Sequence, residues 1–193
     1  MNNLFPIYLK LDQLRILLVG AGPVGLEKLN AILANSPKAN VEVVAETVIA
    51  DFYQMAEGNG NIQINVRSFQ ETDLNQIDLV IVASNNEELN ANIRQLASER
   101  NILLNIADKP SYCDFYLGSV VQKGNLKIGI STNGKSPTIA KRLKEFLNDL
   151  LPEEIDETLF LMEELRGNLK GDLQAKITKL NAHTADLLNK THD

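Results

Sequence analysis

RILLVGAGPVGL, residues 15–26, joins a continuous apolar run to three glycines spaced G-x-G-x-x-G. Arg15 to Gly20 reads as a buried strand that ends at a turn residue. From Pro23 to Asn35 apolar residues recur at Val24, Leu29, Ile32 and Leu33, the spacing of a helix. The glycines therefore lie between strand and helix, and each has its own task. Gly20 makes the tight turn, Gly22 lets the backbone approach a pyrophosphate, and Gly25 lets helix and strand pack closely. An anion would sit on the helix N-terminus, where free N–H groups and the macrodipole favour it. Strand, spacing and helix agree, so the motif reads as a dinucleotide site rather than a plain glycine-rich turn.

The same alternation continues along the chain. Val41–Val44, Ile62–Val66, Leu79–Ala83 and Ile102–Ile106 read as further strands, and Val48–Met55 and Glu87–Arg100 as helices. Apolar strands alternating with helices imply an α/β fold, a Rossmann-type doubly wound parallel sheet covered on both faces. This sheet is expected over residues 1–113. The pattern then changes. Tyr116–Val121 and Leu126–Ser131 read as a hairpin turning at Gln122–Asn125, followed by a helix from Pro137 to Leu150 that Ser136 caps. Two helical patterns fill residues 151–193, one on Ile155, Leu159, Met162 and Leu165, the other on Leu173, Ile177, Leu180 and Leu187.

Composition narrows the function classes. The 193 residues are 44% hydrophobic and 23% charged, ordinary for a soluble domain. No apolar run reaches bilayer length, and no basic, then apolar, leader opens the chain. Cys113 is the one cysteine, so a reducing, cytoplasmic setting is expected, with no intrachain disulfide. With only His183 and His192 besides, a Cys/His zinc site is excluded, and no metal ligands are assigned. The net charge of −6 is uneven. Residues 1–107 carry net −5 and residues 145–193 net −6, whereas residues 108–144 carry net +5. This argues against nucleic acid as a partner and fits either a local site for a small polyanion or a solvated, lysine-bearing helix face.

Candidate site residues cluster where strands end, the ligand edge of such sheets. Glu46 lies 21 residues past Gly25; it either accepts from the adenosine ribose hydroxyls or begins the next helix as a first-turn acid. No lysine or arginine lies between Val41 and Asn65 to receive a 2′-phosphate, which favours NAD over NADP. Ser84-Asn85-Asn86 follows the fourth strand and either faces the nicotinamide or caps a helix. Asp108 follows the fifth strand and is either ordinary turn chemistry before Lys109-Pro110 or a base, with burial against strand ends raising its pKa. Thr132–Pro137 opens a helix with hydroxyls, a glycine and a cation, an arrangement that receives carboxylates or phosphate. Cys113 has no base beside it and reads as packing; both histidines read as solvated.

Four stretches taken in order resemble one family: Leu4–Leu9, Val19–Lys28, Asn105-Ile106-Ala107-Asp108 and Ile130–Pro137. They resemble the siroheme synthase N-terminal family, whose members are precorrin-2 dehydrogenases, some also sirohydrochlorin ferrochelatases. The resemblance spans about residues 3–150. It implies NAD-dependent oxidation of precorrin-2 to sirohydrochlorin, with iron insertion as a second activity in some members and Fe²⁺ then a substrate. It makes Asp108 the catalytic residue and places cofactor contacts in the glycine loop, at Gly20, Gly22, Pro23, Val24 and Gly25, and at Glu46 and Thr47, with Ser84 added from its place after the fourth strand. It implies a homodimer joined through residues 114–150, and the anion-receiving arrangement at Asn133, Lys135 and Ser136 is expected to take the substrate's carboxylates. Precorrin-2 carries eight carboxylates, which suits the net +5 segment.

Two features depart from the family. Some relatives carry Ser-Ser-Gly-Gly where this chain has Ser131-Thr132-Asn133-Gly134, so their phosphorylation is not carried over to Thr132. The sequence ends at Asp193 without a fused methyltransferase domain, so precorrin-2 is expected from a separate enzyme. On the residues alone, a non-catalytic dinucleotide-sensing or tetrapyrrole-carrying module and an oxidoreductase for another small acid stay open.

Overall fold

The computed structural model describes residues 2–168, 177–179 and 181. They divide into a unit of residues 3–117 and a second that begins at Gly118. The first holds five parallel strands: β1 (Arg15–Ala21), β2 (Asn40–Val48), β3 (Ile62–Val66), β4 (Leu79–Val82) and β5 (Leu103–Ile106). Their order in the sheet is β3-β2-β1-β4-β5. The chain runs outward from β1 to β3, then returns to the other side of β1, so the switch point lies between β1 and β4. Helices α1 (Pro23–Asn35), α2 (Ala50–Ala56) and α3 (Glu87–Glu99) connect them. The doubly wound fold expected from the sequence is therefore present.

Side chains on β1 alternate between two cores. Ile16 and Leu18 pack with Leu29, Ile32 and Phe52; Leu17 and Val19 pack with Val80, Val82, Ile93 and Ala97. Leu17 and Leu18 are both 0% exposed, so neither face of the sheet meets water at β1. That is why the central strands β1 and β4 are apolar, whereas the edge strand β3 alternates and exposes Gln63. Helix α3 begins where Asn86 Oδ1 accepts from Leu89 N at 3.1 Å, with Glu87 and Glu88 at the positive end of the dipole. The capping role weighed for this stretch thus falls to Asn86.

β2 is longer than the sequence implied. Val19 pairs with Val44, but Ala21 pairs with Val48, so two residues of β1 face four of β2. This irregularity swings Glu46 and Thr47 out at the strand's carboxyl end. Glu46 therefore lies within β2, and the reading that made it a first-turn helix acid fails, since α2 starts at Ala50.

In the second unit, β6 (Ser119–Lys123) pairs antiparallel with β7 (Leu126–Ile130). β7 matches the expected Leu126–Ser131 to within a residue, but β6 is shifted from the expected Tyr116–Val121. Gly124 adopts φ +54°, which permits a two-residue connection and leaves Gln122 and Lys123 in the ladder opposite Lys127 and Leu126. Tyr116 instead stays in the first unit, its hydroxyl donating to Pro110 O at 3.3 Å. Helix α4 (Pro137–Leu150) packs on β6 and β7, and α5 (Ile155–Asn168) follows. Ser136 Oγ accepts from Ile139 N at 3.2 Å, the expected cap, and Pro137 takes the first turn. Of the second tail pattern, Leu173, Leu180 and Leu187 lie outside the described residues, as do His183 and His192.

Candidate active site

The glycines divide their work as the spacing implies. Gly20 sits at φ +101°, and a Cβ there would stand 2.3 Å from Ala83 O. A Cβ on Gly25 would stand 2.2 Å from Gly20 O, so helix and strand touch through bare backbone. Gly22 differs: a Cβ there would meet nothing within 4 Å. Packing therefore does not require glycine at this position, whereas the close approach of an outside group does. Gly22 is the N-cap of α1, Pro23 supplies no N–H, no side chain caps the helix and no acid lies in its first turn. The positive end of α1 is left for an anion from elsewhere, which fits the pyrophosphate of a dinucleotide.

Two cavities flank this turn. One, of about 240 Å³, lies on the β2 side and is lined by Gly20, Gly22, Glu46, Thr47, Arg67 and Ser84 among others. The other, of about 230 Å³, lies toward β4 and β5, with Val24, Ala83, Ser84, Asn90, Asp108 and Lys109 in its wall. Each is smaller than the roughly 300–1,000 Å³ of a drug-sized ligand site. Each suits one end of an elongated ligand, and Ser84 borders both.

The cavity on the β2 side holds a cation that the sequence reading missed. Arg67 follows β3 directly, just beyond the window searched for a phosphate-binding residue. Its guanidinium is not free, because Nη1 and Nη2 donate to Asp73 Oδ2 and Oδ1 at 2.8 and 2.7 Å. Asp73 is 8% exposed and also accepts from Gln70 N at 2.8 Å. Burial alone would push its carboxyl up; the Arg67 and Gln70 hydrogen bonds and the Arg67 charge outweigh it and hold the pKa below the ordinary value. Glu46 accepts from Ser68 Oγ at 2.7 Å on the same rim.

Asp108 takes a left-handed conformation, φ +58°, two residues past the end of β5. Ala107 N still donates to Val82 O at 2.9 Å, and Lys109 N closes a turn onto Ile106 O at 3.3 Å. The returning chain pins this turn: Asn105 Nδ2 donates to Phe115 O at 2.8 Å, and Leu104 N donates to Asp114 Oδ2 at 3.1 Å. Cys113 Sγ accepts from Ile106 N at 3.2 Å. Burial pushes the Cys113 thiol up, so it is a structural clamp and a poor nucleophile. Lys109 is taken by Glu87 at 2.6 Å. Among the described residues the Asp108 side chain has neither hydrogen-bond nor ion-pair partner. It is exposed, so the burial expected from the sequence is absent.

The structure brings Val24, Ser84 and Asp108 to one cavity, and Gly20, Gly22, Glu46, Thr47 and Ser84 to the other; Pro23 and Gly25 line neither. Asn133, Lys135 and Ser136 belong to the second unit. There Asn133 and Gly134 take φ +55° and +73°, Ser136 Oγ is used as the helix cap, and Lys135 is exposed. Besides Arg67, sequence reasoning missed Asn90. Its only signal was a polar side chain on the stripe of α3 that carries Ile93 and Ala97.

A parallel sheet with an uncapped, glycine-opened helix at its switch point and cavities on both sides defines a Rossmann-type dinucleotide-binding protein. The chain belongs to the family described as "Putative NAD(P)-binding", whose model matches residues 7–119. A second model, sirohaem biosynthesis protein central, matches residues 123–150. Similar curated proteins include siroheme synthases from Psychrobacter cryohalolentis, 32% identical over 92% of this chain and 33% of the relative, and Pseudoalteromonas translucida, 33% identical over 86% and 34%. The chain thus spans about a third of the length of these relatives. Among solved structures, SirC, a precorrin-2 dehydrogenase, shares the fold at a TM-score of 0.75, with 24% identity over 97% of this chain and 94% of that one.

Proposed function

We propose that this chain is an NAD-dependent precorrin-2 dehydrogenase acting in siroheme biosynthesis. The observation that carries the reading is the unpartnered Asp108 carboxylate, held in a left-handed turn on the wall of the cavity beside the glycine-opened helix. A left-handed Asp costs roughly 1–2 kcal/mol relative to ordinary backbone. The clamp of Asn105, Cys113 and Asp114 maintains that conformation. The siroheme synthase relatives and the SirC fold support the choice of substrate.

The oxidation removes two electrons and two hydrogens from the macrocycle, one as hydride and one as proton. NAD, when bound, supplies the hydride acceptor. Gly22 and the first turn of α1 hold its pyrophosphate, and Glu46 and Thr47 border the adenosine side. Arg67, the one cation among the described residues lining the cavity on the β2 side, is clamped by Asp73, which favours NAD over NADP. Asp108 Oδ accepts the proton. Asn133, Lys135 and Ser136 receive substrate carboxylates at the start of α4. The enzyme works as a cytoplasmic homodimer joined through residues 114–150, with residues 1–113 as the cofactor domain. Iron insertion into sirohydrochlorin rests on the resemblance to bifunctional relatives. It is tested separately by adding Fe²⁺ to sirohydrochlorin and comparing the rate with that of the free reaction.

Asp108→Asn tests the reading, since Asn also tolerates the left-handed region. The variant is expected to bind NAD as the native chain does and to oxidise precorrin-2 about 10²–10⁴-fold more slowly, the usual worth of general base catalysis. Native turnover in the variant would remove Asp108 from the chemistry.

A further inference from the structure

Asn90 carries an acceptor with nothing to accept. Its side chain is buried at 2% exposure, and its Nδ2 donates to Ser84 O at 3.0 Å. Its Oδ1 is the one buried side-chain polar atom among the described residues without a hydrogen-bond partner. Leaving a buried carbonyl unpaired costs about 1–3 kcal/mol, and folded proteins pair nearly all such groups. The position lies on the apolar stripe of α3, three residues from Ile93 and seven from Ala97, where an aliphatic side chain would carry no such cost. Asn90 also belongs to the wall of the cavity that holds Val24, Ser84 and Asp108. With Nδ2 held by Ser84 O, what is missing is a donor for Oδ1.

The cavity's place identifies that donor. A dinucleotide laid across the switch point puts its pyrophosphate on α1 and its adenosine toward the acid at the end of β2. The nicotinamide is then left for the cavity toward β4 and β5. Its ring substituent carries one donor group, the carboxamide NH₂. Building on the dinucleotide reading above, we propose that Asn90 Oδ1 accepts a hydrogen bond from the nicotinamide carboxamide and so fixes the ring's rotation in the cavity that holds Asp108. Asn90 is then a specificity residue for the oxidised base, separate from the groups that hold pyrophosphate and adenosine.

Calorimetric titration of the full chain with four ligands tests this: NAD, its thionicotinamide analogue (amide oxygen replaced by sulfur, NH₂ kept), its acetylpyridine analogue (NH₂ replaced by methyl) and ADP-ribose. The native protein is expected to bind NAD and the thio analogue within about threefold of each other and the acetylpyridine analogue about tenfold more weakly. In Asn90→Ala the preference for NAD over the acetylpyridine analogue falls to within about twofold, while ADP-ribose binds as before and reports an intact fold. A merely structural Asn90 would weaken all four ligands and leave the preference in place, which overturns the proposal. Equal binding of NAD and the acetylpyridine analogue by the native protein, with ADP-ribose bound, overturns Asn90's role and spares the dinucleotide reading. No binding of NAD or ADP-ribose overturns both. Should Asn90→Ala lose ADP-ribose as well, the native analogue series alone decides.

Discussion

Single residues separate packing from binding in the glycine turn. Gly25→Ala drives a methyl to 2.2 Å from Gly20 O, a backbone atom with nowhere to go. It is expected to cost about 1–3 kcal/mol, visible as a clear fall in Tm. Gly22→Ala adds its methyl in open space, so Tm stays near native while NAD titration shows weakened binding. If Gly22→Ala binds NAD normally, the backbone there does not approach the pyrophosphate. Asp73 gives a pH signature. Its folded pKa lies below the unfolded value, so its contribution is complete above the ordinary carboxylate range near about 4 and is lost as pH falls through the folded value. Asp73→Asn is expected to cost about 1–2 kcal/mol at neutral pH, less than a fully buried pair because the Arg67 side chain is 37% exposed. Thermal unfolding across pH checks this: the gap between variant and native Tm narrows under acid conditions, and a constant gap would contradict it.

At the scale of elements, α4 leaves an apolar stripe uncovered. Ile139, Leu143, Phe146 and Leu150 recur at helical spacing, and all are exposed, Phe146 at 60%. Its own unit buries only Val121, Ala140 and Ile155 among the described residues, little for a two-stranded hairpin that is marginal alone. In the proposed dimer a second copy would cover this stripe. Light scattering is expected to give twice the chain mass, and Phe146→Glu to weaken association at least about thirtyfold by placing a charge in an apolar contact. A native monomer would contradict the dimer. The legible elements were those whose pattern has no competitor: β1, β4, α1 and α4 end within a residue of expectation because apolar runs, Pro137 and the glycines punctuate them. β2 was cut short because Glu46 and Thr47, swung out by the register shift, look like loop in one dimension. Arg67 escaped because the acid expected past β2 drew attention away from β3. Asn90 escaped because an orphaned acceptor is visible only once its neighbours are known.

Over the whole molecule, cations concentrate in one segment. Of the seven cations in the net +5 segment, Lys109 is neutralised by Glu87 and Lys123 by Glu153. Lys135, Lys141, Arg142 and Lys144 make no ion pair among the described residues, and all four are exposed. They gather around α4 and its opening loop, which suits a ligand with many carboxylates better than an even solvated face. Replacing Lys135 with Ala is expected to raise KM for precorrin-2 severalfold with kcat little changed, since it removes binding shared by ground and transition states. A fall in kcat alone would place Lys135 in the chemistry instead. The central claim is the dehydrogenation itself, and its most direct measurement is NADH formed when the purified chain meets precorrin-2 and NAD. One NADH is expected for each precorrin-2 consumed, with sirohydrochlorin as the product. NADH no greater than in the protein-free control, from a chain that binds NAD, would contradict it and leave a dinucleotide-binding module without this activity.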